Sequence, residues 1–245
     1  MIVAKEFKWA KPIKELTRTD IERIDGGPLR LYEVDGVRYP SVTSVLGIFS
    51  KLEKGLDEWR DRIGHEEADK IVKEAADRGT HLHLISEMYL NNKLDRSLLK
   101  GQASVLFRQI KKHIDGISLV LGTESTLYNK ELGYAGSADC IAIHDGDLCI
   151  IDFKNSRSRI DLNKDYGRKK LFKYQLQTAL YALALEDMIG LVPNKSLIIV
   201  GNMDNFDASV FKEDMDKFKD EARLVVEAFK TDDLELLKKS LYFSL

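Results

Sequence analysis

Residues Gly136–Lys154 read GSADCIAIHDGDLCIIDFK. Two apolar runs, Ala138–Ile143 and Leu148–Phe153, flank His144-Asp145-Gly146-Asp147. Asp-Gly between such runs predicts a β-hairpin closed by a type I′ turn, because that turn needs φ > 0 at both central residues. With Asp145-Gly146 as a two-residue loop, His144 pairs with Asp147, Ile143 with Leu148 and Ile141 with Ile150. Counting on places Asp139 opposite Asp152. Directly opposed residues share a sheet face, with Cβ atoms roughly 4.5–5.5 Å apart. Lys154 lies two residues beyond Asp152, and the period of two puts it on that face as well.

Two carboxylates and an ammonium thus meet at one end of an otherwise apolar hairpin. Read singly, the aspartates are strand-end turn residues and Lys154 is a solvated tip. Read together, they pose an electrostatic problem. Opposed carboxylates repel and cost stability unless something cationic lies between them. A hard divalent cation with oxygen ligands satisfies both.

Asp139 followed by Asp152-Phe153-Lys154 resembles the core of the PD-(D/E)XK nuclease superfamily, with Ala138 where the usual proline stands. The words around it are similar to those of the RecB-like exonuclease branch, and within it of the mitochondrial genome maintenance exonuclease group. They are Tyr39-Pro40-Ser41-Val42-Thr43, Gly79-Thr80-x-x-His83, Gly133-x-x-Gly136, Ile151-Asp152-Phe153-Lys154-Asn155 and Gln177-x-x-x-Tyr181. Each word alone is weak; the ordered set from Tyr39 to Tyr181 is specific.

The resemblance implies an α/β fold, a restriction-endonuclease-like mixed β-sheet core flanked by helices, with an N-terminal mostly helical part. It implies that Asp139, Asp152, the backbone carbonyl of Phe153 and His83 hold Mg²⁺ or Mn²⁺, a histidine among oxygen ligands favouring Mn²⁺. Lys154 then stabilises developing charge, and Gln177 and Tyr181 orient the site and the DNA beside the metal. The expected activity is metal-dependent DNA exonuclease action on single-stranded ends. A structure-specific endonuclease of the same superfamily and a non-catalytic DNA-binding module of replication or recombination are the alternatives. Opposed aspartates speak against the last, since a binding module has no need of them.

The 245 residues suffice for one nuclease domain over 1–245, with the N-terminal hairpin and helices in 1–115 and the catalytic sheet core and C-terminal helices in 116–245. Apolar content of 44 % and charged content of 32 % are those of a globular protein. A net charge of −2 leaves nucleic-acid binding to local patches. Cys140 and Cys149 are offset in the predicted register, which disfavours a disulfide; both read as small buried hydrophobes of a reducing compartment. Two cysteines cannot ligate the iron–sulfur cluster of some RecB-like relatives. No apolar stretch is long enough to span a bilayer and no signal-peptide or mitochondrial targeting pattern is found. A bacterial or viral protein working in cytoplasm, without a membrane partner, is therefore expected; the sequence says nothing of protein partners.

Along the chain, Met1–Leu29 reads as a segment that wraps the core. Leu31–Val34 and Val37–Tyr39 flank Asp35-Gly36, a second hairpin. Pro40–Phe49 is helical, with Ser41 or Thr43 as N-cap. Leu56–Ala76 is an amphipathic helix with a break near Gly64, and Arg78-Gly79 interrupts it. Thr80 then caps a new helix to about Leu90, on which His83 and Glu87 share a face. Alone, His83 reads as a hydrogen-bonded core histidine; its place in Gly79-x-x-x-His83 resembles the family's metal-ligand histidine. Glu87 reads as an acid behind the ligands and His81 as surface. Asp95 or Ser97 opens a further helix burying Leu98, Val105, Leu106 and Ile110.

Thr123–Tyr128 is a predicted strand, with Glu124 where relatives often carry an acid; a partly buried structural acid is the equal alternative. Asn155–Lys173 holds Arg157, Arg159, Lys164, Arg168, Lys169, Lys170 and Lys173 against Asp161 and Asp165. It reads either as a solvated loop or as a phosphate-contacting loop that orders on DNA. Leu171–Met188 is an apolar helix on which Tyr174, Gln177 and Tyr181 form a polar-aromatic stripe. Trp59 and Tyr89 are available for base stacking. Ser196–Val200 is a buried strand, paired with Asp207–Phe211. Asp214–Phe229 and Asp232–Leu241 close the chain as helices.

Overall fold

The computed structural model describes residues 5–53 and 55–245, so the first four residues of the expected N-terminal wrap lie outside it. Strands β1 (Glu22–Ile24), β2 (Leu31–Val34) and β3 (Val37–Pro40) form a three-stranded antiparallel sheet. The turn between β2 and β3 is the predicted one, with φ of 52° at Asp35 and 78° at Gly36. Ser41 then caps α1 (Val42–Leu46), its Oγ accepting from Ser44 N at 3.0 Å. After a 3-10 turn come α2 (Gly55–Ile63), α3 (His65–Leu90) and α4 (Gly101–Ile114). The break near Gly64 is present, at φ 90°.

The second sheet contains β4 (Ile117–Asn129), β5 (Tyr134–His144), β6 (Asp147–Ser156), β7 (Lys195–Asn202) and β8 (Ser209–Asp214), in that spatial order. Pairing is antiparallel except between β6 and β7, so the sheet is mixed. The parallel step is made through α5 (Asp165–Ile189), and α6 (Asp216–Thr231) and α7 (Leu234–Leu237) follow. This is the expected α/β architecture of a mixed sheet flanked by helices.

Alternation along the hairpin strands divides the core. Cys140, Ala142, Cys149, Ile151 and Phe153 pack with Leu82, Ile85, Leu106 and Phe107 of α3 and α4. Ile141 and Ile150 pack on the other side with Leu176 and Leu180 of α5. Burial on both faces is what the unbroken apolar runs of central strands predict. The N-terminal segment does wrap: Phe7 is buried, and residues 8–10 run along β4 through backbone bonds of 2.8 and 2.9 Å with Val120. Among the described residues no helix is long and apolar enough to cross a membrane.

Five expectations change. Arg78-Gly79 does not interrupt the helix; α3 is continuous from His65 to Leu90. Asp95 caps only a 3-10 turn, Arg96–Leu98, and the helix starts at Gly101, leaving Val105 exposed while Leu106 and Ile110 are buried. The basic stretch is not one loop, because residues from Asp165 onward belong to α5, whose Leu171 and Phe172 are buried. Asp232–Leu241 holds one short helix rather than a long one, since Asp233 caps Leu234–Leu237 and a 3-10 turn follows at Leu241–Ser244. Finally, β8 begins at Ser209, two residues after the expected start.

Candidate active site

The hairpin register is the predicted one from His144–Asp147 to Cys140–Ile151, and the turn has φ of 52° at Asp145 and 82° at Gly146. It stops there. The expected Asp139–Asp152 rung is not a ladder pair: Asp139 Oδ2 accepts from Phe153 N at 2.7 Å, a carboxylate standing in for a backbone acceptor. Beyond this point β6 continues against β7, from Asp152–Ile198 to Ser156–Asn202. The N–H and C=O of one strand residue point the same way. The Phe153 carbonyl therefore faces the gap that opens between β5 and β6.

Three elements converge on this gap. From α3, His83 Nδ1 lies 3.4 Å from Asp139 Oδ1 and 3.6 Å from Glu124 Oε1. Glu124 sits on β4 between the rungs Thr123–Cys140 and Ser125–Ala138, which places it beside Asp139. Its φ is 46°, in the left-handed region. A non-glycine residue held there costs about 1–3 kcal/mol and persists only where surrounding structure imposes it. Glu124 Oε2 also accepts from Ser137 Oγ at 3.0 Å. His83, Glu124 and Asp139 each offer one ligand atom, all within 4.8 Å of one another.

Asp152, 1 % exposed, is held differently. Lys154 Nζ lies 2.8 Å from its Oδ1 and 2.7 Å from its Oδ2; only the first approach has hydrogen-bond geometry, so Oδ2 has a cationic neighbour but no donor aimed at it. The same ammonium lies 5.1 Å from the centroid of the Tyr174 ring. Behind the carboxylates, Gln177 Nε2 donates to Tyr181 OH at 3.1 Å, both residues being buried. The Tyr181 ring presses on Gly136, where a Cβ would stand 2.9 Å from Cε1 of the tyrosine and 3.2 Å from Val42 Cγ2. Gly133, at φ 73°, makes the turn into the same strand. Glu87 is half-buried one turn beyond His83.

Charge and burial set the protonation states. Burial of the His83 ring works against its proton, but the charge of Asp139 and hydrogen bonds to Asp139 and Glu124 prevail and push its pKa up to about 11. Metal-free, His83 is an imidazolium. Burial works to raise the Asp139 carboxyl, yet the His83 and Lys154 charges and the Phe153 N–H hold it below the usual range. Asp152 goes the other way, to about 6, because burial and the Asp139 charge outweigh Lys154. Burial works against the Lys154 proton, and the two aspartates retain it. Glu87 is raised by burial and then by the charge of Glu124.

The basic residues separate into two sets. Arg157, Arg159, Lys164 and Lys170 line a cleft of about 960 Å³ that also takes in Arg78 and Glu74 of α3 and Tyr166 of α5. Lys170 Nζ donates to Ser156 Oγ at 3.0 Å. The other three point elsewhere. Arg168 donates to the Leu245 and Leu162 carbonyls and pairs with Asp165. Lys169 Nζ stands 5.2 Å from the Tyr242 ring, and Lys173 pairs with Glu53 at 3.1 Å. Tyr89 is buried with its hydroxyl on Asp115, so it has no face for a base.

No family model matches the chain. It is 30 % identical over 128 residues to mitochondrial genome maintenance exonuclease 1 of Homo sapiens, covering 48 % of this chain and 36 % of that protein. To the Xenopus tropicalis protein of the same name it is 27 % identical over 198 residues, covering 77 % of this chain and 55 % of the relative. Over these stretches the chain is similar to proteins named as exonucleases, in line with a PD-(D/E)XK-type nuclease resemblance. It spans about a third to about half the length of these relatives. An exonuclease candidate from Eubacterium rectale, solved by crystallography, is 16 % identical with a TM-score of 0.43, over 67 % of this chain and 66 % of the other. The sequence ranks Glu124 below His83, although its Oε1 stands 3.6 Å from Nδ1 of the histidine. Composition carries no trace of a left-handed glutamate within a strand.

Proposed function

We propose that the chain is a divalent-metal-dependent deoxyribonuclease, hydrolysing phosphodiester bonds as an exonuclease from single-stranded ends. The observation that carries this reading is the meeting of His83, Glu124 and Asp139 within 4.8 Å where β5 and β6 part. Two carboxylates and an imidazole suit Mg²⁺ or Mn²⁺, the imidazole favouring Mn²⁺. Asp152 and the Phe153 carbonyl add oxygen donors from β6. When bound, the ion supplies Lewis-acid polarisation of the scissile phosphate and acidification of a water.

The protein's own groups do the rest. Lys154 presents a cation, fixed against Asp152 and Tyr174, to charge developing on the phosphate. The buried Gln177–Tyr181 pair lies close enough to the two aspartates to feel their charge and fills the space beside them. Arg157, Arg159, Lys170 and Arg78 give the cleft its phosphate contacts. The names of the curated relatives support exonuclease action.

The test is product sizing on end-labelled linear and covalently closed single-stranded DNA, with Mg²⁺ and with EDTA. Linear strands should shorten from an end only with Mg²⁺, and circles should survive. Lys154→Ala should lower turnover by orders of magnitude while calorimetric Mn²⁺ binding persists. Efficient cutting of circles would replace the exonuclease with the endonuclease reading. DNA binding with neither substrate cut would leave a non-catalytic binding module.

A further inference from the structure

α3 extends well beyond the core. Before Leu82, Ala68 is its only buried residue, so the stretch from 69 to 81 overhangs the cleft. The later half is packed by Leu82, Ile85 and Tyr89, so the overhang is held by polar contacts rather than by the core. Asn155 of β6 closes on the helix where these halves meet. Its Oδ1 accepts from Arg78 Nε at 3.0 Å, and its Nδ2 donates to the Ala75 carbonyl at 3.3 Å. Arg78 Nη1 continues to Gln102 Oε1 on α4 at 3.1 Å.

Gly79 lets this amide come in. A Cβ at position 79 would lie 2.8 Å from Asn155 Nδ2, closer than such atoms approach. Glycine inside a helix is destabilising relative to alanine, so its presence here answers to the contact. Gly79 stands one helical turn before His83, and Asn155 directly follows Lys154. The amide therefore ties the turn that carries the histidine to the strand that carries Asp152 and Lys154.

We infer that Asn155 is a positioning residue, whose side-chain amide sets the placement of His83 over Asp139 and so the spacing of the ligand set. The inference rests on the metal-site reading above. A group behind the ligands typically changes metal affinity by about 10–100-fold when removed. Mn²⁺ affinity by calorimetry, with melting temperature alongside, reads the effect independently of cleavage.

Asn155→Ala should weaken Mn²⁺ binding about tenfold. Asn155→Asp keeps the bond from Arg78 and gives up the donation to Ala75, so it should fall between alanine and the native protein. Gly79→Ala expels the amide with the asparagine still present and should match Asn155→Ala. The double variant should be no worse than either single, because both remove the same interaction. A lowered melting temperature with unchanged Mn²⁺ affinity would make Asn155 a packing residue and overturn the inference. Multiplying losses in the double variant would overturn it too. A native protein that binds Mn²⁺ and cuts DNA beside unaffected variants sinks this inference alone. One that neither binds Mn²⁺ nor cuts DNA sinks the site reading with it.

Discussion

Asp152 shows what a buried charge costs before a metal arrives. Its carboxyl titrates near 3.8 in the unfolded chain and at about 6 in the fold. As pH rises from 3.8 the unfolded state loses the proton first, so this group's contribution to stability falls and levels off above about 6. An uncharged amide in its place would carry no such loss. Asp152→Asn is therefore expected to abolish cleavage with the fold intact. In EDTA its melting temperature, relative to the native protein, should gain between about pH 4 and about pH 7.5. Thermal melts at both pH values check this. A relative gain that shrinks with rising pH would mean that pairing with Lys154 outweighs burial.

At the scale of elements, the hairpin is legible because Asp145-Gly146 fixes the loop and the apolar alternation fixes the register; ten residues of ladder follow from counting. The count fails at its last rung, where the Asp139 side chain takes the Phe153 N–H. Gly79 reads as a helix break because glycine is a local breaker, whereas its partner Asn155 lies on a strand far along the chain. The basic stretch reads as a loop because its charges hide the burial of Leu171 and Phe172 in the first turns of α5. Tyr89 reads as free for a nucleobase, but its hydroxyl belongs to Asp115. Two of these misses, Gly79 with Asn155 and Tyr89 with Asp115, are interactions between distant segments. The two glycines of Gly133-x-x-Gly136 have separate reasons, a turn and a close approach, and the second is testable. Gly136→Ala drives a methyl into Tyr181 and Val42. Overpacking of this kind costs about 1–3 kcal/mol, a fall in melting temperature of about 2–4 °C for each kcal/mol in a chain of this size. Val42→Ala in the same chain should recover part of it. An unchanged melting temperature would show that the tyrosine yields freely.

For the molecule as a whole, a net charge of −2 means that nucleic acid must be met by a local surface. On the proposed function the cleft beside Asn155 is that surface, and its cations differ from their neighbours on α5. Arg157→Ala/Arg159→Ala should weaken single-strand binding in EDTA and reduce the slope of log affinity against log salt by about 0.7 for each phosphate no longer neutralised. Lys173→Ala removes the pair with Glu53 and should leave the slope alone. Anisotropy titrations over a salt series decide; equal slopes for all variants would move the strand off the cleft.

The pairing of Lys154 with Asp152 also bears on the order in which the chain assembles. β4, β5 and β6 are successive strands joined by short turns, and pairings near in sequence form ahead of distant ones. Glu124, Asp139 and Asp152 are thus brought together by local strand pairing, while His83 must arrive from α3, which precedes α4 in the chain. During that interval the resident cation is the ammonium two residues along the same strand. Lys154 lets three neighbouring carboxylates be gathered into one meander before their counter-ion docks. The lysine proposed to face the phosphate thereby serves first as a cation for its own strand.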